Sequence, residues 1–273
     1  MRPGPVSKTR GDSTFALRLA FSIAIVVLSC VRSWAAGKDS LSEQTRALFE
    51  RCKNAVVKIE AVDQHGRLSG TGFFVDPNGT LYTCYSVGGE SRDIVVSHGD
   101  LKYPATRLVA DPRSGIAILK VEAQTPFLPL GKSNDLGIAS MVVTIGYPLD
   151  LPVTPNIGVV GGFDTKCDRG SFATMHIRAN VSVQRGEGGA PLLDMDGNVT
   201  GVLVSSLDYR SGCFALPIEA AEKVRHDFMR FGEVPWLARH QIRRGSARDG
   251  RLGSAHRGLC RRWAGSEEWL GKR

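Results

Sequence analysis

The chain has 273 residues, enough for one two-lobed domain or two small ones, and 42% of them are hydrophobic, as in proteins with a buried core. This composition excludes a disordered chain. The net charge of +8 comes from the two ends, because residues 41–230 contain 19 basic against 21 acidic residues. A nearly neutral central region excludes a basic nucleic-acid-binding surface there, so we expect no nucleic acid partner.

The N-terminal residues have the layout of a signal peptide. An apolar run at residues 19–28, too short to span a bilayer comfortably, follows three basic residues, Lys8, Arg10 and Arg18. Small residues at 33 and 35 suit a signal peptidase, so we expect residues 1–35 to be cleaved as a signal peptide. The alternatives are a retained membrane anchor and lipid attachment at Cys30. We therefore expect a periplasmic or secreted protein that meets a membrane only through an uncleaved signal segment.

The folded region begins with a helix and continues as strands. Apolar spacing predicts a short helix from Leu41 to Cys52, and from residue 54 short apolar stretches alternate with period two. Turn sequences such as Pro77-Asn78-Gly79 separate these stretches. The pattern predicts twelve strands, at residues 55–62, 70–75, 81–84, 93–97, 105–111, 116–121, 140–145, 156–162, 175–179, 191–193, 199–205 and 213–217.

The spacing of the twelve strands indicates the fold class. They fall into two groups of six, divided near residues 127–136, and residues 217–231 have the apolar face of a closing helix. The sequence therefore predicts an all-β protein, with two six-stranded antiparallel β-barrels in tandem and a helix at each end. The predicted domain covers residues 41–232.

Beyond Gly232 the apolar periodicity stops, and arginine, glycine and serine dominate. We expect residues 233–273 to form a basic, disordered tail. A frame-altered C-terminus and a nucleic-acid- or membrane-binding arm are the alternatives.

Four of the six cysteines fall in the predicted domain: Cys52, Cys84, Cys167 and Cys213. In an oxidising compartment they allow three disulfide pairings, and buried free thiols are the alternative. No two cysteines have a metal-finger spacing, and none stands beside a histidine. We therefore expect no metal site, no cofactor and no thiol catalysis.

A glycine-rich loop precedes one of the predicted strands. Gly186, Gly188 and Gly189 flank Glu187, and Pro191 follows shortly after. Consecutive glycines can turn successive amide groups toward one point, so such a loop can hold an oxygen of a ligand. We take residues 186–189 as the candidate binding loop. Glu187 would place a carboxylate beside these amides, which would discourage an anionic ligand, or it is a solvated loop charge.

The order of short motifs along the chain resembles HtrA-type (Deg) trypsin-like serine proteases over about residues 48–232. The motifs that carry the resemblance are Gly70-Thr71-Gly72-Phe73-Phe74-Val75, Asp111-Pro112 before Ile116-Ala117-Ile118-Leu119-Lys120, Ile145-Gly146-Tyr147-Pro148-Leu149, Gly158-Val159-Val160, the glycine-rich loop, Gly201-Val202 and Phe214-Ala215-Leu216-Pro217-Ile218. The resemblance implies two chymotrypsin-like barrels with a cleft that holds a His, Asp and Ser triad. The glycine-rich loop would then be an oxyanion loop.

This chain departs from the family at all three triad positions. Ser86 stands where the family has its histidine, Gly115 where it has the aspartate, and Gly188 where it has the serine. A serine cannot accept a proton at neutral pH as an imidazole does, and a glycine offers no nucleophile. We therefore expect no catalytic residues, no peptidase activity and only a vestigial oxyanion loop.

Substitute residues are the basis of a competing interpretation. The candidates are Ser114, Ser182, His65, His98 and His176, none at a spacing that simply replaces a triad member. Our hypothesis is an inactive, HtrA-like module of the cell envelope that binds an unfolded or extended peptide or a partner protein. The alternatives are an active endopeptidase that uses displaced residues, and a decayed gene product. No PDZ domain is predicted after residue 232, and the sequence leaves oligomer formation open.

Overall fold

A computed structural model describes residues 40–167, 170–207 and 212–232, apart from the side chains of residues 167, 170 and 171. The predicted signal peptide, Cys30 and the predicted tail lie outside the described residues. The chain divides into two compact units, Met1–Gln44 and Thr45–Arg273. The described part of the first unit is only the start of helix α1 (Leu41–Cys52), and all that follows concerns the second unit.

The first half of this unit forms an antiparallel sheet of seven strands, with the short helix α2 (Tyr85–Gly88) after the third. The strands are β1 (Val56–Asp63), β2 (Gly66–Phe74), β3 (Thr80–Cys84), β4 (Arg92–His98), β5 (Leu101–Pro104), β6 (Thr106–Asp111) and β7 (Ile116–Lys120). Their order across the sheet is β5, β4, β1, β2, β3, β7, β6. In the described part of the chain, no ladder of hydrogen bonds joins the two edge strands.

The second half closes into a six-stranded barrel. Its strands are β8 (Met141–Gly146), β9 (Thr154–Cys167), β10 (Gly170–Ala179), β11 (Pro191–Leu193), β12 (Val199–Ser206) and β13 (Cys213–Pro217). The order around the barrel is β10, β13, β12, β11, β8, β9. Helix α3 (Ile218–Phe231) follows β13 directly and ends at Gly232, whose φ of +71° is the left-handed conformation that glycine supplies at helix C-termini.

The predicted all-β class with two barrel-like sheets is confirmed, with one correction. The first sheet is open and has seven strands, whereas six strands in a closed barrel were predicted. The strand that the prediction missed is β5. Strand β5 is four residues long and contains Lys102 and Pro104, so it carries no alternating apolar pattern. Its position is set by the two-residue turn Gly99-Asp100, which pairs His98 with Leu101.

Both sheets are buried on two faces, which explains the near-continuous apolar runs. In β8, Val142 packs inside the second barrel, whereas Val143 and Ile145 join a core that contains residues of both sheets and of α1 and α3. The interior of the first sheet forms a third cluster around Ile59 and Phe74. Each fully buried aliphatic or aromatic side chain contributes about 1.5–3 kcal/mol, so these cores fix how the two sheets pack. Among the described residues, no helix is long and apolar enough to cross a membrane.

The closing helix is attached to the first sheet by a buried hydrogen bond. Tyr82, in β3, is fully buried against Phe73 and donates its hydroxyl hydrogen to the Glu222 carboxylate of α3. Burial, with Glu222 beside it, raises the pKa of the Tyr82 hydroxyl, so the phenol stays protonated. A second bond joins the Ser133 hydroxyl to the Glu219 carboxylate at 2.6 Å. Helix α3 is thus held by side-chain bonds as well as by its apolar face.

Replacing Tyr82 with phenylalanine should therefore loosen the closing helix. We expect Tyr82→Phe to lower the free energy of unfolding by about 1–2 kcal/mol, because a hydrogen bond to a charged group is lost. Tyr103→Phe is the matched control, since the half-buried Tyr103 has no hydrogen bond from its hydroxyl among the described residues. Urea denaturation measures both, and equal losses would contradict the role given to the Tyr82 bond.

Candidate functional site

The glycine-rich loop joins β10 to β11 and takes a conformation that only glycine accommodates well. Gly186 and Gly189 have φ of +94° and +88°. A side-chain carbon on Gly186 would lie 2.3 Å from the Tyr147 carbonyl oxygen, and one on Gly189 would lie 2.3 Å from that of Thr71. These distances are too short for any side chain, so glycine at both positions is required by geometry.

A single threonine of the first sheet holds this loop. The Thr71 hydroxyl donates to the Gly186 carbonyl oxygen at 2.7 Å and accepts from the Tyr147 amide at 3.0 Å. The Thr71 amide donates to the Gly188 carbonyl oxygen at 2.9 Å. The amides of Gly186 and Gly188 donate to no acceptor among the described residues. The loop is therefore fixed by the carbonyl groups of Gly186 and Gly188 and by the Gly189 amide, which donates to the Leu203 carbonyl oxygen. The amides of Gly186 and Gly188 remain available to a ligand oxygen.

Glu187, between these glycines, is buried. Its side chain is 1% exposed, accepts the Asn156 side-chain amide at 2.6 Å, and accepts the Gln184 main-chain amide at 2.5 Å. Burial raises the pKa of the carboxyl from 4.5 to about 7, although the two hydrogen bonds lower it in part. Its charge also adds to the effect of burial that raises the pKa of the Cys213 thiol to about 12. Glu187 is thus an interior group of the second barrel and not a solvated loop charge.

The other two predicted positions lie next to the loop, at the end of β3. Ser86 is in α2, with its hydroxyl oxygen 3.0 Å from the Cys84 sulfur. The Tyr85 amide donates to the Gly115 carbonyl oxygen at 2.7 Å, which places Gly115 against the start of α2. A side-chain carbon on Gly189 would lie 2.7 Å from the Cys84 amide nitrogen. The structure therefore brings the chain around Ser86, Gly115 and Gly188 together.

The backbone conformation and the surroundings of Gly115 disfavour a residue with a side chain. Its φ is +77°, and a side-chain carbon there would lie 3.3 Å from Val204. An aspartate at this position would need both a strained backbone and a shift of Val204. The local main chain has thus settled into a conformation suited to glycine.

Three of the substitute residues lie at hydrogen-bond distance from main-chain carbonyl oxygens, and for His176 the distance from Nδ1 to the Thr174 oxygen is 2.9 Å. His98 Nε2 lies 2.7 Å from the Asn54 carbonyl oxygen, and the Ser114 hydroxyl donates to that of Asp111 at 3.5 Å. His176 is fully buried and stacks on Phe172 at 3.8 Å between ring centres. Ser182 is exposed just before the loop, and His65 lies in the turn between β1 and β2.

The cysteines form no disulfide among themselves where their side chains are described. Cys52, Cys84 and Cys213 are buried free thiols, whereas the Cys167 side chain lies outside the described residues. Every complete pairing of the four would join two of these three, so none of the three pairings is formed. Nor does the described part of the chain contain a cluster of histidine, cysteine and carboxylate residues that could hold a metal ion.

Sequence reasoning missed a strained turn beside the loop. Leu149 and Asp150 have φ of +52° and +62°, unusual for residues with side chains. The Leu149 amide donates to the Arg185 carbonyl oxygen at 2.6 Å, and the Asp150 carboxylate lies 3.2 Å from Lys58. The turn therefore connects the glycine-rich loop to the first sheet. No turn sequence signals it, because leucine and aspartate both favour negative φ.

Comparison with known proteins agrees with this geometry. A family model described as "Trypsin-like peptidase domain" matches residues 70–202. A probable periplasmic serine endoprotease DegP-like of Chlamydia pneumoniae is 31% identical over 171 residues, which cover 60% of this chain and 35% of that protein. A protein of the same description from Hahella chejuensis is 32% identical over 261 residues, covering 79% of this chain and 55% of its own length. The chain thus spans from about a third to just over half of these curated relatives.

Solved structures show the same fold. The structure of the HtrA-type protease AlgW with tripeptide aligns with a TM-score of 0.64 at 21% identity, covering 69% of this chain and 64% of that one. The crystal structure of Deg5 aligns with a TM-score of 0.62 at 28% identity, covering 71% of this chain and 98% of that one. The fold is therefore that of the trypsin-like peptidases. Within that class, the relatives and solved structures that this chain resembles are HtrA-type and DegP-like proteases.

The packing of Gly189 leads to a stability prediction. We expect Gly189→Ala to lower the free energy of unfolding by about 3 kcal/mol or more, since the new methyl group meets Thr71 and Thr83 in a left-handed backbone. Gly99→Ala is the control, because Gly99 also has a positive φ but has no atom within 4 Å of the added carbon. That variant should lose only the backbone term, about 1 kcal/mol. Similar losses in urea denaturation would contradict the close packing of the loop.

The raised pKa of Glu187 leads to a prediction on pH. A folded-state pKa of about 7 against an ordinary 4.5 means that the fold favours the protonated carboxyl. The protonated Glu187 carboxyl therefore contributes its full stabilisation below pH 4.5. As the pH rises to about 7, the free energy of unfolding falls by roughly 3 kcal/mol. Glu187→Gln should remove this loss.

The measurement is urea denaturation from pH about 4.5 to about 8, with the exposed Glu122→Gln as control. The stability of Glu187→Gln relative to the unsubstituted chain should rise across that range, whereas that of Glu122→Gln should stay level. Parallel curves for all three proteins would mean that Glu187 ionises as it does in water.

Proposed function

We propose that this chain is a catalytically inactive HtrA-type protein that binds an extended peptide or an unfolded protein. The observation that carries the proposal is the composition of the site at the end of β3. Its three key positions hold Ser86, Gly115 and Gly188, which supply neither an imidazole nor a nucleophile on the loop. Proteolysis of the trypsin-like kind needs both.

Magnitudes support the absence of useful activity. Removing the nucleophile or the base of a serine protease costs on the order of a million-fold in rate, and the remainder comes from oxyanion stabilisation and binding. The free amides of Gly186 and Gly188 are the kind of group that provides this remainder. Such a site retains the ability to hold a carbonyl oxygen without cutting the bond.

Peptide binding is the part of the family's behaviour that needs no triad. An extended chain can pair with exposed main-chain groups of a cleft or of a strand edge. The related AlgW was solved with a tripeptide, which supports the same class of ligand here. Relatives described as periplasmic, together with the expected signal peptide at residues 1–35, support a place in the cell envelope.

The alternatives make different demands. An active endopeptidase would need a nucleophile and base from other positions, and His98 and Ser114 are already bonded to carbonyl groups. A decayed gene product would bind nothing and would be scarce as mature protein in cells.

One experiment with fluorescently labelled casein separates these functions. We expect the anisotropy of the casein to rise with added protein, with a dissociation constant in the micromolar range (about −8 kcal/mol), while gels show no fragments. A fluorophosphonate probe should label no serine, and an active HtrA-type protease is the positive control. A labelled serine with inhibitor-sensitive fragments would establish the active alternative, and unchanged anisotropy would overturn the binding function.

A further inference from the structure

A cavity of about 880 Å³ lies between the first sheet and the strained turn. Its walls come from β1, β2, β4 and β5, and from Leu149, Asp150 and Arg185. Because Arg185 immediately precedes Gly186, this cavity borders the glycine-rich loop. A peptide held at the loop can therefore extend into it.

The charges near the turn do not cancel. Lys58 lies 3.1 Å from the Glu60 carboxylate and 3.2 Å from that of Asp150, and Lys102 lies 3.5 Å from Glu60. These two carboxylates are thus already shared between two lysines. Arg185 forms no salt bridge and no side-chain hydrogen bond in the described part of the chain, and its charge acts on Asp150 only through space. Three positive charges at this end therefore face two carboxylates.

The Glu60 and Asp150 carboxylates are both ionised at neutral pH, so the excess of one positive charge is present there. A hydrogen bond from Lys58 lowers the pKa of Glu60 despite its partial burial. Burial alone would raise the pKa of Asp150, but hydrogen bonds from Ser69 and Lys58, together with the charges of Lys58 and Arg185, outweigh it and lower the pKa. Asp150 is already hydrogen-bonded to Lys58, so its attraction to Arg185 leaves the hydrogen-bond donors of the Arg185 side chain available to a ligand.

At the other end of the cavity the charges balance, so that end gives less selectivity for a charged ligand. Arg67 pairs with Val62 across the ladder, and Asp93 follows Arg92, which pairs with Val62 from the other side. One positive and one negative group thus line the same end of the cavity. Leu149, an apolar wall residue that is 55% exposed, lies at the loop, because its amide donates to the Arg185 carbonyl oxygen.

We propose that this cavity, hereafter the Arg185 pocket, binds a carboxylate carried by an extended peptide whose main chain lies along the glycine-rich loop. Arg185 would supply a charge-assisted hydrogen bond to the carboxylate, and Leu149 an apolar contact for the carbon atoms beside it. The carboxylate is that of an internal Asp or Glu or of the peptide's C-terminus. This inference rests on the proposed peptide-binding function and adds to it a preference for acidic peptides.

The test uses the full chain and labelled neutral peptides in which a single glutamate is moved along the sequence. At one register the glutamate peptide should bind about tenfold more tightly than its glutamine counterpart, the usual size of one charge-assisted hydrogen bond. The preference should shrink as salt rises from about 50 to about 500 mM. C-terminally amidated and free-acid versions of the glutamine peptide show which source of carboxylate is bound.

The variant that assigns the preference is Arg185→Gln, which should bring the glutamate peptide to the affinity of the glutamine peptide. Arg46→Gln is the matched control, because Arg46 is exposed on α1 and undergoes the same change of charge away from the pocket. It should leave the tenfold preference intact. If Arg185→Gln does not fold, the comparison of glutamate, glutamine and free-acid peptides on the unsubstituted chain still decides.

The failures are distinguishable. Equal binding of the glutamate, glutamine and free-acid peptides at every register would overturn the Arg185 pocket and leave the peptide-binding function standing. A carboxylate preference that survives in a folded Arg185→Gln would also overturn the pocket. Binding of no peptide at all would overturn both.

Discussion

The buried threonine Thr71 links the two sheets of this protein at the glycine-rich loop. Its amide, its carbonyl and its hydroxyl are all engaged, with Gly188, Thr83, Gly186 and Tyr147 as partners. Buried polar groups with every partner present stabilise one arrangement strongly, because any displacement leaves an unpaired group in a medium of low polarity. The position of the glycine-rich loop therefore depends strongly on this residue of β2.

None of these interactions involves a catalytic side chain. The loop is held by main-chain carbonyls, by the close approach of Gly186 and Gly189 to other main-chain atoms, and by the buried Glu187. The scaffold therefore keeps its shape when the alcohol, imidazole and carboxylate are absent. The proposed loss of the reaction is therefore compatible with an intact fold, because different atoms are responsible for the two.

Much of the fold could be predicted because its strands are short apolar stretches separated by turn residues, and strands such as Pro191–Leu193 and Cys213–Pro217 were located correctly. The hairpin of β9 and β10 was predicted too short, since its outer part is rich in polar residues and glycine. Burial of Glu187 could not be predicted, because it depends on Asn156 from another strand. The Arg185 pocket likewise combines residues that are far apart in the sequence, so no local pattern indicates it.

Strand β5 has a consequence for how this protein behaves among its own copies. It is an exposed edge strand of an open sheet, and such strands can pair with strands of neighbouring molecules and so start aggregation. Here the edge strand is only four residues long, includes a lysine, and ends in a proline that has no amide hydrogen to donate. These features oppose fibrous self-assembly, which would keep a protein with the proposed peptide-binding function dispersed.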